Sequence, residues 1–181
     1  TKGHLALITY AASRCSLLHI FVVEEDRSLF PFEVRMRLVK EGTAHLPNVK
    51  VHPSGPYMIS SATFPTYFLK KGEDAARIQS ELDITLFASR IAPLFHITKR
   101  FAGEEPLDPV TRDYNEAMIR LLPQYSISFI KIARTTAEAP EGKPEVISAS
   151  RVRKLLAETG VTEEVLQLVP PCTAQYLKNE F

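Results

Sequence analysis

Near its C-terminal end the chain reads Ile147-Ser148-Ala149-Ser150-Arg151-Val152-Arg153. Val152, Leu155, Leu156 and Thr159 recur at helical spacing, so a helix begins at or just after Ser148 or Ser150. Either serine can cap it. The charge is the oddity. A helix start carries partial positive charge and unpaired N–H donors, which favours acids in the first turn. Here Arg151, Arg153 and Lys154 come first, and no acid appears until Glu158. An anion at the site makes sense of this, because the hydroxyls of Ser148 and Ser150, the backbone N–H groups and the Arg153 guanidinium then converge on it. A solvated cationic helix face explains this stretch equally well on its own. A second helix start, at the other end of the chain, repeats the pattern. Thr1-Lys2-Gly3-His4 supplies a hydroxyl, a cation, a glycine that permits close approach and a histidine, again with no acid. Two anion-ready helix starts in one chain are what a triphosphate needs.

The bulk properties narrow the field. The 181 residues are 45% hydrophobic and 24% charged, with a net charge of +1. That length fits one domain with its own core, so residues 1–181 are expected to form a single domain. The near-neutral balance offers no basic stripe for nucleic acid. The longest apolar run, Leu17 to Val23, is too short to cross a bilayer. Cys15 and Cys172 have neither CxxC nor CxxH spacing, so no zinc site or disulfide framework is indicated and a reducing, cytoplasmic setting is expected. The chain enters its first helix at once, with Leu5, Ile8 and Ala12 on one face and no strand ahead of it, which reads as a fragment of a longer protein.

Between the two motifs, strands and helices alternate. Residues 17–23 suit a strand buried on both faces. A helix starts at Pro31 and Glu33, with Phe32, Met36 and Val39 inward and Gly42 as its stop. Val49 to His52 is a short strand between prolines. Residues 53–80 are irregular and aromatic, with Tyr57, Phe64, Tyr67 and Phe68 more suited to a core than to a ligand cover. Leu82, Leu86, Phe87, Ile91 and Leu94 predict a helix, and Thr98 to Ala102 a strand ending at Gly103-Glu104. Asp108 and Pro109 cap a helix through about Leu122, with Val110, Tyr114, Ala117, Met118 and Leu121 inward. Ser126 to Ile132 alternates as a strand, residues 133–146 read as a polar loop, and two short helices follow the second motif. Such alternation implies an α/β fold with a mainly parallel sheet, and ligands outside the carboxyl ends of its strands. His19, inside an apolar strand, is expected to be a hydrogen-bonded core histidine; His45, His52 and His96 look isolated, and Cys172 a packed thiol.

Neither GxxxxGK nor GxGxxG is present. Thr1-Lys2-Gly3-His4 instead matches the (T/H)xGH signature of the nucleotidyltransferase superfamily, and Ile147 to Arg153 looks like its ISxS/T-x-x-R signature. The Phe30-Pro31-Phe32-Glu33, Tyr57 to Pro65, Arg100 to Pro106 and Val110 to Asn115 segments narrow this. Over essentially the whole chain the sequence resembles the citrate lyase ligase family, without that family's acetyltransferase-like N-terminal region or the strand and Asn-Pro-Phe segment that normally precede Thr1.

That resemblance implies a Rossmann-like nucleotidyltransferase fold with helices on both faces of the sheet. It also implies an ATP- and Mg2+-dependent, AMP-forming ligase, joining carbon to sulfur. Acetate would attack ATP to give acetyl-adenylate and pyrophosphate, and the thiol of the phosphoribosyl-dephospho-CoA arm on the citrate lyase acyl-carrier subunit would take the acetyl group. It places His4 on the α-phosphate, Thr1 beside it, Ser148, Ser150 and Arg153 on the β and γ phosphates, Gly3 and Lys2 at the phosphates, and Gly103 and Glu104 at adenine. Magnesium would ride on phosphate oxygens, without a protein cage. Arg35 is a weaker phosphate candidate, Arg112 and Asn115 could face ligand or solvent, and Ser60 and Ser61 could meet acetate. An adenylyltransferase acting on a phosphorylated cofactor precursor and a non-catalytic nucleotide-binding module are the alternatives.

Overall fold

The structure is a computed structural model that describes residues 1–25, 29–64, 73–104, 108–133, 136–138 and 144–181. In chain order its elements are α1 (Lys2–Ala12), β1 (Leu18–Val22), α2 (Phe32–Thr43), β2 (Val49–Pro53), α3 (Glu73–Leu86), β3 (Lys99–Gly103), α4 (Pro109–Leu121), β4 (Ser128–Ile132), β5 (Thr136–Glu138), β6 (Pro144–Val146), α5 (Ala149–Thr159), α6 (Glu163–Gln167) and α7 (Pro171–Asn179). The fold is α/β. β3 and β4 pair in parallel, with Phe101 opposite Ile130. β1 and β2 also pair, and they run the same way. At one end the Leu18 N–H donates to the Asn48 carbonyl, and at the other the Ser54 N–H donates to the Val22 carbonyl. Parallel partners need a helical crossover, and α2 and α4 supply the two.

The chain divides into two compact units. One comprises Thr1–Ile20, Leu29–His52 and Arg134–Phe181. Its core is Ile147, Val152, Leu156, Val165, Leu168, Val169 and Leu177, so α5, α6 and α7 close on one another around the residues that flank the second motif. Asn48 secures the turn after α1, its amide donating to the carbonyls of Ala12 and Cys15. The other unit comprises Phe21–Ser28 and Pro53–Ala133. Its core is built on α3 and α4, with Ile84, Phe87, Ala88, Tyr114, Ala117, Met118 and Leu122 buried together with Phe64.

Several expectations are corrected. The predicted loop over 133–146 contains a small antiparallel pair, β5 with β6, in which Ala137 faces Glu145. α3 begins at Glu73, inside the stretch read as irregular. Leu82 and Leu94, on the apolar stripe that predicts the helix, are 53% and 78% exposed. Within α3 the buried face runs through Ser80, Asp83 and Ile84 and leaves Leu82 outside it, and a π-turn at Phe87–Ile91 followed by a 3-10 turn at Ala92–Phe95 then breaks the α-helical period ahead of Leu94. Gly42 does not stop α2, which runs through Thr43; it lies against the Cys172 sulfur instead, 3.5 Å from where its Cβ would be. His52 is not isolated. Its Nε2 is 2.9 Å from His19 Nδ1, across the β1–β2 pair. Phe64 is core, Tyr57 is 62% exposed, and Tyr67 and Phe68 lie outside the described residues.

Candidate functional site

The two signature helices start beside each other. Thr1 caps α1, its hydroxyl oxygen accepting from the His4 N–H at 3.3 Å. Ser148 caps α5 in the same way, accepting from the Arg151 N–H at 3.1 Å. Between them stands Gly3. A Cβ at this position would lie 2.7 Å from the carbonyl oxygen of Ile147, the residue just ahead of the Ser148 cap. No side chain fits there. The glycine of the first motif thus lets the first turn of α1 lie directly against the backbone that opens the second. A further tie holds α1 from the other side, where the Lys2 N–H donates to the Leu168 carbonyl at 2.9 Å. Ile147 and Leu168 both belong to the buried core of this unit, so both helix starts are anchored in packed apolar residues.

The hydrogen bonds left over define what the site can take. The first bonds within the two helices are Leu5 to Thr1 and Val152 to Ser148. Ahead of them, the N–H groups of Gly3, Ala149 and Ser150 find no partner among the described residues. These are the donors a helix start offers to an anion. Thr1 Oγ1 also lies 3.3 Å from His4 Nδ1. The contact ties the imidazole to the capping hydroxyl and leaves Nε2 as the ring nitrogen on its far side.

The three first-turn cations of α5 are not equivalent. Arg151 forms an ion pair with Glu164 of α6 at 3.1 Å, and Lys154 lies 3.9 Å from Glu158. Arg153 meets no carboxylate among the described residues. It donates instead to the Ser150 hydroxyl at 3.2 Å, joining the serine and the guanidinium that the second motif singles out. Arg35, the weaker candidate, turns its Nε to the Phe30 carbonyl at 2.9 Å.

Gly103 and Glu104 belong to the other unit, at the carboxyl end of β3. The Gly103 carbonyl accepts from the amide of Asn115, which is buried, and the Glu104 N–H donates to the Ile132 carbonyl. Asn115 therefore faces the strand end rather than solvent, whereas Arg112 lies near Asp113, 3.9 Å away. Ser60 is buried and donates to the Pro56 carbonyl, so its hydroxyl is spent on its own loop; the Ser61 N–H donates to Glu25. The sequence reading missed the polar network around Asp83, Tyr114 and Arg100. An acid on the buried stripe that Ser80, Ile84, Phe87 and Ala88 define was the available signal. Among the described residues no group of three or more His, Cys, Asp or Glu side chains could hold a metal ion, and no helix is long and apolar enough to cross a membrane.

Comparison with known proteins gives a consistent picture. The family described as citrate lyase ligase C-terminal domain matches residues 1–177. The [citrate [pro-3S]-lyase] ligase of Escherichia coli (strain K12) is 42% identical over 179 residues, covering 99% of this chain and 51% of that protein. Its namesake in Klebsiella pneumoniae is 42% identical over 181 residues, with 98% and 51% covered. A phosphopantetheine adenylyltransferase of Proteus mirabilis is 28% identical over 163 residues, 86% of this chain and 89% of that one, in keeping with a Rossmann-like nucleotidyltransferase fold. The chain spans about half the length of the citrate lyase ligases it matches.

Proposed function

The chain belongs to the citrate lyase ligase family, and on that premise we propose that it is the adenylating part of an AMP-forming ligase. Acetate attacks the α-phosphorus of ATP, the bond to the bridging oxygen breaks, and acetyl-adenylate and pyrophosphate form. The thiol of the phosphoribosyl-dephospho-CoA arm on the citrate lyase acyl-carrier subunit then attacks the acetyl carbon, losing its proton and releasing AMP. The observation that carries this reading is the contact of Gly3 with Ile147, which brings two anion-ready helix starts together.

Displacement at phosphorus asks for positioning and charge neutralisation rather than covalent help. His4 donates from its ring to the α-phosphate as negative charge builds there. Thr1 orients the His4 ring through its contact with Nδ1 and lies beside the phosphates. The N–H groups of Ala149 and Ser150, the hydroxyls of Ser148 and Ser150 and the Arg153 guanidinium receive the leaving pyrophosphate. Gly3 contributes its N–H and the close approach, and Lys2 adds charge at the rim. Every group named at the phosphates is a donor or a cation, which suits a triphosphate; Mg2+ supplies further neutralisation from the phosphate oxygens, and no protein ligand is assigned to it. The higher identity to the citrate lyase ligases supports this reading over an adenylyltransferase.

Pyrophosphate release from ATP and Mg2+, measured with and without acetate, tests it on this chain and on the full-length protein. Release should depend on acetate and fall by about a hundred- to a thousandfold in His4→Ala. Release that ignores acetate, or that survives in His4→Ala, would overturn the assignment.

A further inference from the structure

The unit formed by Phe21–Ser28 and Pro53–Ala133 buries a charged network that the phosphate chemistry does not use. Asp83, on α3, is fully buried. Its Oδ1 accepts from the Ile59 N–H at 2.7 Å and from the Thr63 hydroxyl at 2.9 Å, and its Oδ2 from the Tyr114 hydroxyl at 2.7 Å. All three donors are neutral. The Tyr114 hydroxyl in turn accepts from Arg100 Nη2 at 2.9 Å. The Arg100 guanidinium lies over the Phe87 ring, 4.3 Å from its centroid, and 5.5 Å from that of Tyr114. Its other terminal nitrogen, Nη1, is buried and has no hydrogen-bond partner among the described residues.

A buried donor on a charged group is ordinarily paired, and an orphan asks for an explanation. Asp83 does not provide one, because its carboxylate reaches Arg100 only through the Tyr114 hydroxyl. The guanidinium is also held firmly, by aromatic rings on its face and by Tyr114 at one edge, so Nη1 has a fixed direction. The loop bonded to Asp83 is costly to hold. Ile59 has φ +48°, a left-handed conformation that a β-branched residue rarely adopts, and it is kept there with its N–H bonded to Asp83. Strain maintained by a buried acid, linked through Tyr114 to a guanidinium with one unpaired nitrogen, is the pattern of a preformed ligand site.

We infer that Arg100 Nη1 is the anchor for the carboxylate of the acid substrate, a small aliphatic monocarboxylate such as acetate. The inference deepens the ligase reading and rests on it for the identity of the acid. One guanidinium balances one carboxylate charge, whereas a phosphate would bring excess negative charge toward buried Asp83. The aromatic carbon of Phe87 and Tyr114 beside the guanidinium suits a methyl group and not a polar substituent.

The test uses the full-length protein, with 13C-labelled acetate as the probe. Line broadening of the acetate resonance without ATP reports binding, and acetate-dependent pyrophosphate release reports turnover. Arg100→Gln should abolish the broadening and raise the KM for acetate by about ten- to a hundredfold, while the KM for ATP changes by less than about twofold. Arg100→Lys, which keeps the charge and the fold, should bind acetate weakly, and acetate should raise the melting temperature of the wild type but not of this variant. Inorganic phosphate should fail to displace acetate. An unchanged acetate KM, an equal rise for ATP, or displacement by phosphate would overturn the inference. The two readings separate cleanly. Arg100-dependent acetate binding without pyrophosphate release would sink the ligase and leave the acid site, and acetate-dependent release indifferent to Arg100 would do the reverse.

Discussion

Replacing Gly3 with alanine tests the geometry on which the proposed phosphate site depends. The added Cβ would stand 2.7 Å from the Ile147 carbonyl oxygen, and ordinary contact begins at 3.4 Å. Relief therefore requires 3.4 − 2.7 = 0.7 Å of separation between the first turn of α1 and the backbone entering α5. The obstructing atom is backbone, anchored by Ile147 in the core, so it cannot swing aside as a side chain would. Overpacking of this kind costs about 1–3 kcal/mol, against which alanine recovers up to about 1 kcal/mol of helix propensity. The net loss of stability is about 0–3 kcal/mol by that reckoning. Activity should suffer more. A displacement of about 1 Å can cost about a hundredfold in rate, so the shift here predicts a loss of about ten- to a hundredfold in acetate-dependent pyrophosphate release. Gly160→Ala is the control. With φ +70° and nothing within 4 Å of its Cβ position, it should lose about 1–3 kcal/mol through backbone strain and leave turnover of the folded protein unchanged. Denaturant unfolding and pyrophosphate release on both variants decide the matter. A Gly3→Ala protein that is more stable than wild type and fully active would refute the reasoning, since the two helix starts would then tolerate separation.

Ser148→Asp separates capping from anion binding: aspartate caps as well as serine, so unfolding free energy should hold within about 0.5 kcal/mol, while ATP affinity measured by calorimetry should collapse through charge repulsion. Burial pushes the Tyr114 phenol well above its ordinary value, and neighbouring Asp83 adds to the rise although Arg100 opposes it. A folded pKa above the unfolded one means stability is intact below pH 10 and falls as pH rises beyond it, a slope that Tyr114→Phe should flatten in denaturant titrations. Desolvation lowers the pKa of His19, with His52 and Lys50 adding to the effect, and desolvation with Lys50 does the same for His52. Stability contributed by the neutral pair is present above pH 6.5 and lost as pH falls below it, so His52→Gln should reduce the acid sensitivity of unfolding.

What could be read from the sequence depended on whether the signal was local. Ser148, Thr1 and Thr162 are caps in the structure because a hydroxyl ahead of a periodic apolar run has one low-energy use. The inward faces of α4 followed for the same reason, with Tyr114, Ala117 and Met118 buried at helical spacing. The phase of α3 did not follow. Its buried stripe includes Ser80 and Asp83, so polarity no longer marks the inner face, and the π-turn then shifts the register by a residue. β5 and β6 have three residues each and no alternation to betray them. His19 and His52 are 33 positions apart, and only strand pairing brings them to 2.9 Å. The close approach at Gly3 is likewise a long-range fact: the sequence offered a glycine, and the fold supplied Ile147.

The charges at the start of α5 show how the structure resolves what looked like a fault in the sequence. Glu164 neutralises Arg151 and Glu158 approaches Lys154, so the uncompensated charge of the two first turns, among the described residues, is Arg153 and Lys2 plus the two helix starts. At about half a unit charge for each helix start, the sum is about +3, a fair match for a leaving pyrophosphate. The two arginines should then behave oppositely despite standing two positions apart. Arg153→Gln removes a charge-assisted contact and should weaken ATP binding by about 1.5–3 kcal/mol with little change in unfolding. Arg151→Gln breaks a half-buried ion pair and should lower stability by about 1 kcal/mol while sparing ATP affinity. Calorimetry and denaturant unfolding on the two variants separate these outcomes. Equal losses of ATP affinity in both would mean that the ligand reads the whole cationic face, and that the pairing with Glu164 sorts nothing.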